Sequence, residues 1–182
     1  NLNILIIKKD LNQEIIDIYS EEAAYSANIR GKILKELVES EEIDNLTYID
    51  ADSLVRGPIE FNKNYDISFF VRPKRDSRKK TFYFSGLISV NINPLNKARL
   101  LNALNYFQER IEEYGLLKWF SDQDAIEDLY YFIIDNDIKF KPLLERYFDW
   151  GYNKDSNIWM GKGKSKAHQE YMTTQALYEG LF

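Results

Sequence analysis

Strands alternating with helices predict an α/β fold, with a mixed, mainly parallel sheet flanked by helices. Three stretches carry that expectation. Leu2 to Ile7 (LNILII) is a nearly continuous apolar run of strand length. Ile29, Ile33, Leu34, Leu37 and Val38 share one helical face behind Ser26, a residue type that caps helices. Thr47, Tyr48 and Ile49, all strand formers, then run into the acids Asp50 and Asp52. At 182 residues the chain is read as one domain over 1–182, long enough to bury a substantial core.

Composition narrows the function classes. A formal charge of -5 disfavours nucleic acid as a partner. Cysteine is absent, which excludes disulfides, zinc thiolate sites and cysteine nucleophiles. That absence fits a reducing compartment, so a cytoplasmic location is expected. No apolar run approaches the ~18 residues of a transmembrane helix, and no signal peptide is visible. The first residue is Asn1 rather than methionine, which leads us to expect a chain lacking an N-terminal portion.

Taken in order, the strand at Leu2–Ile7 ends at Lys8, Lys9 and Asp10. Arg30 lies in the first turn of the following helix, off its apolar stripe. An Arg there is either a solvated charge or a group placed to meet an anion. The acids from Glu39 to Glu42 end that helix.

The segment YIDADSLVRGP (Tyr48–Pro58) holds the chemistry. Side chains two apart on a strand point the same way, so Asp50 and Asp52, separated by Ala51, can converge on one hard cation such as Mn²⁺ or Mg²⁺. The alternative is a strand ending in a solvated Asp turn. Gly57 and Pro58 turn the chain away.

Ile67–Val71 reads as another strand, followed by a basic loop with Arg72, Lys74, Arg75, Arg78, Lys79 and Lys80. This is a solvated loop or a flap facing a phosphate or an acidic acceptor. In FYFSGLISVN, Gly86 interrupts a strand pattern, a sign of close backbone or ligand approach.

Asn93 and Pro94 open a long helix whose core stripe is Ala98, Leu101, Leu104, Phe107, Ile111 and Tyr114, ending at Gly115. Ser121 and Asp124 then resemble a capping box for a helix ending near Phe132. Asp122, Gln123 and Asp124 crowd its first turn, more acids than a cap requires. Ile138–Phe140 is an expected edge strand stopped by Pro142. The tail carries Lys162, Lys164 and Lys166 around Gly161 and Gly163, either a hinge or a loop whose lysines and amides hold a diphosphate. A helix is expected over 167–181.

In this order the Arg-bearing helix, YIDADSLVRGPI, FSGLISVN, SDQDAI and IWMGKGKSK resemble the GT-A type glycosyltransferases, nearest to glycosyltransferase family 8. The likeness runs from Arg30 to Lys166. It implies a GT-A (Rossmann-like) fold and transfer of a sugar from a nucleotide diphosphate to an acceptor hydroxyl. A UDP-sugar donor and a glycan, lipid or protein acceptor are expected, with retention of configuration. By resemblance Asp50 and Asp52 hold the metal, Arg30 contacts the donor, and Asp122, Gln123 and Asp124 reach the donor sugar. Ala51, Gly86, Gly161, Lys162, Gly163, Lys164 and Lys166 complete the expected donor site.

Three departures from the family stand out. Where the family has Asn-Ala-Gly this chain has Phe84, Ser85 and Gly86, so a polar contact is missing. Met160 stands where the family's third metal ligand, a His, should be, and the single histidine is His168. Only 49 residues precede Asp50, fewer than in the family, which implies a truncated or compact domain.

Two other readings compete. A haloacid dehalogenase-like phosphatase also uses a DxD after a strand, but there Gly or Thr follows, whereas here Ser53 and Leu54 do. A degenerate, carbohydrate-binding transferase domain would fit the missing His. A glycoside hydrolase is less suited, since its carboxylates must stand about 5 Å or more apart across a bond.

Overall fold

The computed structural model describes residues 19–40, 43–50, 52–59, 64–72, 82–161 and 167–180. The helices are α1 (Tyr19–Asn28), α2 (Arg30–Ser40), α3 (Lys97–Tyr114), α4 (Ser121–Asp135) and α5 (Gln169–Glu179). The strands are β1 (Asn45–Ile49), β2 (Ser53–Val55), β3 (Ile67–Val71), β4 (Tyr83–Asn91) and β5 (Ile158–Met160). The expected strand at Leu2–Ile7 lies outside the described residues, as do the basic loop beyond Arg72, Ala51, and Lys162 through Lys166.

The fold is mixed α/β, but its sheets are antiparallel rather than mainly parallel. The main sheet has the order β1-β4-β3, and a small second sheet pairs β2 with β5. Central β4 runs against both neighbours, with Ile49 opposite Leu87 on one side and Ile67 opposite Val90 on the other. The expected parallel sheet required a helical crossover between adjacent strands. Here β1 and β3 do point the same way, but β4 lies between them. Among the described residues, parallel pairing appears as isolated bridges, Ile67 with Phe140, Phe70 with Leu143 and Asp149 with Trp159. Lys141 N and Leu143 N donate to Ile67 O and Phe69 O, so Pro142, which has no N–H, sits between the two donors. The proline is therefore tolerated within the edge segment instead of ending it.

Helices cover one face of the sheet. Leu34 and Val38 of α2, Leu100, Leu104, Phe107 and Ile111 of α3, and Ile126, Leu129 and Ile133 of α4 bury against Ile67, Phe69, Ile88 and Val90. The α3 stripe turns slightly from expectation: Leu100 and Ala103 are buried, whereas Ala98 is exposed. Asn93 forms an Asx turn, accepting from Leu95 N and Asn96 N, so the helix begins at Lys97 with Asn96 as N-cap. Gly31 lets α2 lie close on α3; a Cβ there would stand 3.1 Å from Phe107 Cδ1. Ser26 falls inside α1 and caps nothing; the break between α1 and α2 is at Ile29.

The opposite face packs Phe70, Phe84 and Leu87 under Tyr147, Phe148, Ile158 and Met160. Phe70 and Phe148 stack at 4.7 Å. A third cluster joins Leu54, Tyr152, Trp159 and Tyr171. Among the described residues, no helix is long and apolar enough to cross a membrane.

Candidate functional site

The register of β4 creates the site. Pairing with β3 steps from Phe69 opposite Ile88 to Phe70 opposite Phe84, so Ser85, Gly86 and Leu87 face no β3 partner. Such a bulge re-aims side chains and favours functional positions. It places Ser85 and Gly86 beside the end of β1, where Asp50 N donates to Gly86 O at 2.9 Å.

Ser85 Oγ becomes a junction. It accepts from Arg30 Nη1 at 2.9 Å, donates to Asp122 Oδ2 and accepts from Gln123 Nε2. A hydroxyl has one donor and two acceptor sites, so all of its capacity is used. Arg30 opens α2 and is buried, not solvated. Its Nε donates to Ala27 O at 2.6 Å, Nη1 lies 3.4 Å from Asp50 Oδ1, and Nη2 lies 3.3 Å from Asp122 Oδ2. Burial alone would lower its pKa, but Asp50, Tyr48, Asp122 and Asp52 together raise it, so the guanidinium stays charged. Tyr48 OH donates to Asp50 Oδ1 at 3.1 Å. Burial pushes this phenol up, Arg30 opposes that, and Asp50 adds to it.

The start of α4 is built differently from a capping box. Ser121 is the first helical residue, and its Oγ donates back to Gly115 O at 2.8 Å. The N-cap is Phe120, with a left-handed backbone (φ 71°) and no side-chain cap. That conformation costs a bulky residue of order 1–3 kcal/mol. Asn28 helps to hold it: its Nδ2 donates to Leu116 O and Lys118 O, and its Oδ1 accepts from Asp122 N. With capping moved to the backbone of Phe120, Asp122 and Gln123 turn inward and are buried. Asp124 is exposed and takes no part in the network.

Gln123 Nε2 also donates to Asp122 Oδ2 at 3.0 Å, which fixes which end of the amide faces the carboxylate. Gln123 Oε1 is left as a buried acceptor without a hydrogen-bond partner. Asp50 Oδ2 looks toward Gly86, where an added Cβ would stand 2.5 Å away.

The tail closes the other side. Ser53 pairs with Met160 across the small sheet, and Ser53 Oγ donates to Met160 Sδ at 3.2 Å. Gly161 N donates to Asp52 O at 2.8 Å. Met160, where the resemblance expects a His, is therefore beside the acids, but as a buried thioether. His168 is instead an exposed ring 5.0 Å from Tyr152.

Of the expected residues, Arg30, Asp50, Gly86, Asp122 and Gln123 come together, with Asp52 and Gly161 adjoining them. Sequence reasoning missed Ser85, Tyr48, Asn28 and Tyr171. For Ser85 one signal was legible, a small hydroxyl next to a strand glycine. Phe84, where the resemblance expects an Asn, packs with its ring centroid 5.2 Å from that of Phe148.

Asp50, Asp52 and Asp122 bring three carboxylates near the Arg30 guanidinium. The carboxylates are hard oxygen donors, whereas the Met160 thioether is a poor ligand for Mn²⁺ or Mg²⁺. No group of three His, Cys, Asp or Glu converges among the described residues. Compared with protein-family models and with curated proteins, the chain matches none.

Proposed function

We propose that this site binds a nucleotide-diphosphate sugar with a divalent cation and transfers the sugar to an acceptor hydroxyl. The observation that carries the reading is the convergence of Arg30, Asp50, Ser85, Asp122 and Gln123 around the end of one strand, with Asp52 alongside. Asp50 and Asp52 would hold Mn²⁺ or Mg²⁺, with diphosphate oxygens and water completing its shell. When bound, the cation supplies Lewis-acid stabilisation of the charge that grows on the departing diphosphate.

The chain's own residues prepare the site. Arg30 and Tyr48 hold Asp50 Oδ1, while Oδ2 of the half-buried carboxylate lies against Gly86. Arg30 and Ser85 together hold Asp122, and Asp122 in turn orients Gln123. The free Gln123 Oε1 is an acceptor fit for a sugar hydroxyl, a contact that would remove its desolvation cost. A UDP-sugar and a retaining outcome follow from the family resemblance alone. Lys162, Lys164 and Lys166 are proposed to meet the diphosphate on the same ground.

A second reading keeps support from one observation. Met160 fills the place of the third ligand, which fits a domain that binds donor without turning it over. The phosphatase reading is weaker. It needs Asp50 as an open nucleophile, yet Asp50 Oδ1 is engaged by both Arg30 and Tyr48.

A thermal-shift panel of nucleotide sugars with and without Mn²⁺ tests the proposal, since a bound ligand raises the melting temperature by mass action. A Mn²⁺-dependent rise with one donor, lost in Asp52→Asn, is expected. No rise with any donor would remove the reading; a rise without transfer or hydrolysis would favour the binding domain.

A further inference from the structure

We infer that Tyr171 of α5 is a positioning residue for Asp52, tying the last helix to the candidate cation site; this rests on Asp52 being a cation ligand. Among the side chains described in α5, Tyr171 alone is buried, while Gln169, Glu170, Met172 and Thr173 are exposed. Its ring inserts among Leu54, Tyr152 and Trp159, with centroids 5.4 Å apart between Tyr171 and Tyr152. A phenol buried with its ring needs a hydrogen-bond partner, and this one donates to Asp52 O at 2.6 Å, across 119 residues of sequence.

The same carbonyl accepts from Gly161 N at 2.8 Å, so both of its lone pairs are taken. On the other side of the acids, Asp50 N donates to Gly86 O and Ser53 N to Asp50 O. The backbone that carries both carboxylates is thus tied to β4 at one end and to β5 and α5 at the other. Gly161 supplies a second observation. A Cβ there would overlap the Tyr171 hydroxyl and stand 2.6 Å from Asp52 O. The glycine allows the phenol and the amide to reach one acceptor. Fixing the Asp52 peptide plane limits the directions its carboxylate can take, as outer partners of metal ligands do.

Tyr171→Phe separates this role from packing, because the ring stays and only the hydroxyl is lost. The melting temperature should move little, since Gly161 N still satisfies the carbonyl. The Gly161 amide should exchange hydrogen faster than in the parent. Mn²⁺ affinity, measured by calorimetric titration without donor, should fall about tenfold, the lower end of what losing an outer partner costs. Unchanged Mn²⁺ affinity in Tyr171→Phe, where Asp52→Asn has lost it, overturns the inference and leaves the cation reading standing. A parent protein that takes up no Mn²⁺ removes the cation reading, and the inference with it.

Discussion

Asp50 Oδ2 occupies the space that a side chain on residue 86 would need, 2.5 Å from where a Cβ would stand. Asp50 cannot simply swing aside, because Tyr48 and Arg30 hold its other oxygen. Phe148 Cε2, 3.4 Å from the same point, limits movement from below. Gly86→Ala is therefore expected to displace the carboxylate and to cost about 1–3 kcal/mol through overpacking. Mn²⁺ titration and urea denaturation of the variant check both effects. Parent-like metal affinity would show that Asp50 Oδ2 is not a ligand.

Among the described residues, the buried Arg30 is the cation paired with the buried Asp122 and the half-buried Asp50. Arg30→Met should fill similar volume while leaving two carboxylates without their countercharge. Removing one member of such a group typically costs about 3–5 kcal/mol. Denaturant melts should show a lower midpoint at an unchanged slope. A loss under about 1 kcal/mol would mean that solvent reaches the acids and that the pairing is not buried in solution.

Parts of this arrangement were legible in the sequence and parts were not. The acids could be found from the apolar-to-polar switch after Ile49, but the strand alternation expected to align Asp50 with Asp52 is not kept: β1 ends at Ile49, and Ser53 N donates to Asp50 O in a turn. Gly86 could be found because a glycine within a strand signals close approach. Of the crowded polar residues in SDQDAI, Asp122 and Gln123 turn inward while Asp124 stays exposed, and the N-cap position expected of Ser121 is taken by Phe120. The burial of Arg30 was hidden, because its countercharges lie just beyond β1 and in the first turn of α4, distant in the chain. Ser85 was hidden by the bulge, which breaks the period-two rule that would have assigned its face. The direction of β4 was hidden too, since alternation of strands and helices does not reveal that β3 and β4 join without a helical crossover.

Tyr48 predicts a pH dependence of stability. Burial raises its phenol above the ordinary value of 10.0, and Asp50 reinforces this against the opposing Arg30. Above pH 10 the unfolded chain releases the proton while the folded chain retains it. The contribution is complete below that pH and is lost as pH rises. Tyr83, pushed up to about 12 mainly by burial, acts with the same sign. The expected result is a fall in urea midpoint from about pH 9 to about pH 11 that is shallower in Tyr48→Phe than in the parent. Equal slopes would show that the Tyr48 phenol titrates alike in both states.

Gln123 offers the cleanest test of chemistry at the start of α4. Asp122 is less suitable, because it balances Arg30 and its replacement would disturb folding. Gln123 donates to Ser85 and Asp122, yet its Oε1 is buried without a partner. Truncation to Ala thus removes two hydrogen bonds and also one unsatisfied acceptor. These effects oppose each other, so stability should change by no more than about 1 kcal/mol. If Oε1 receives a donor hydroxyl in the transition state, turnover of a donor that demonstrably binds should fall by roughly tenfold or more. That corresponds to at least ~1.4 kcal/mol of transition-state stabilisation. Donor affinity should fall less than turnover, because the contact is needed most as charge develops. Unchanged turnover in Gln123→Ala, with Ser85 and Asp122 intact, would reduce Gln123 to a packing partner of the Arg30 network.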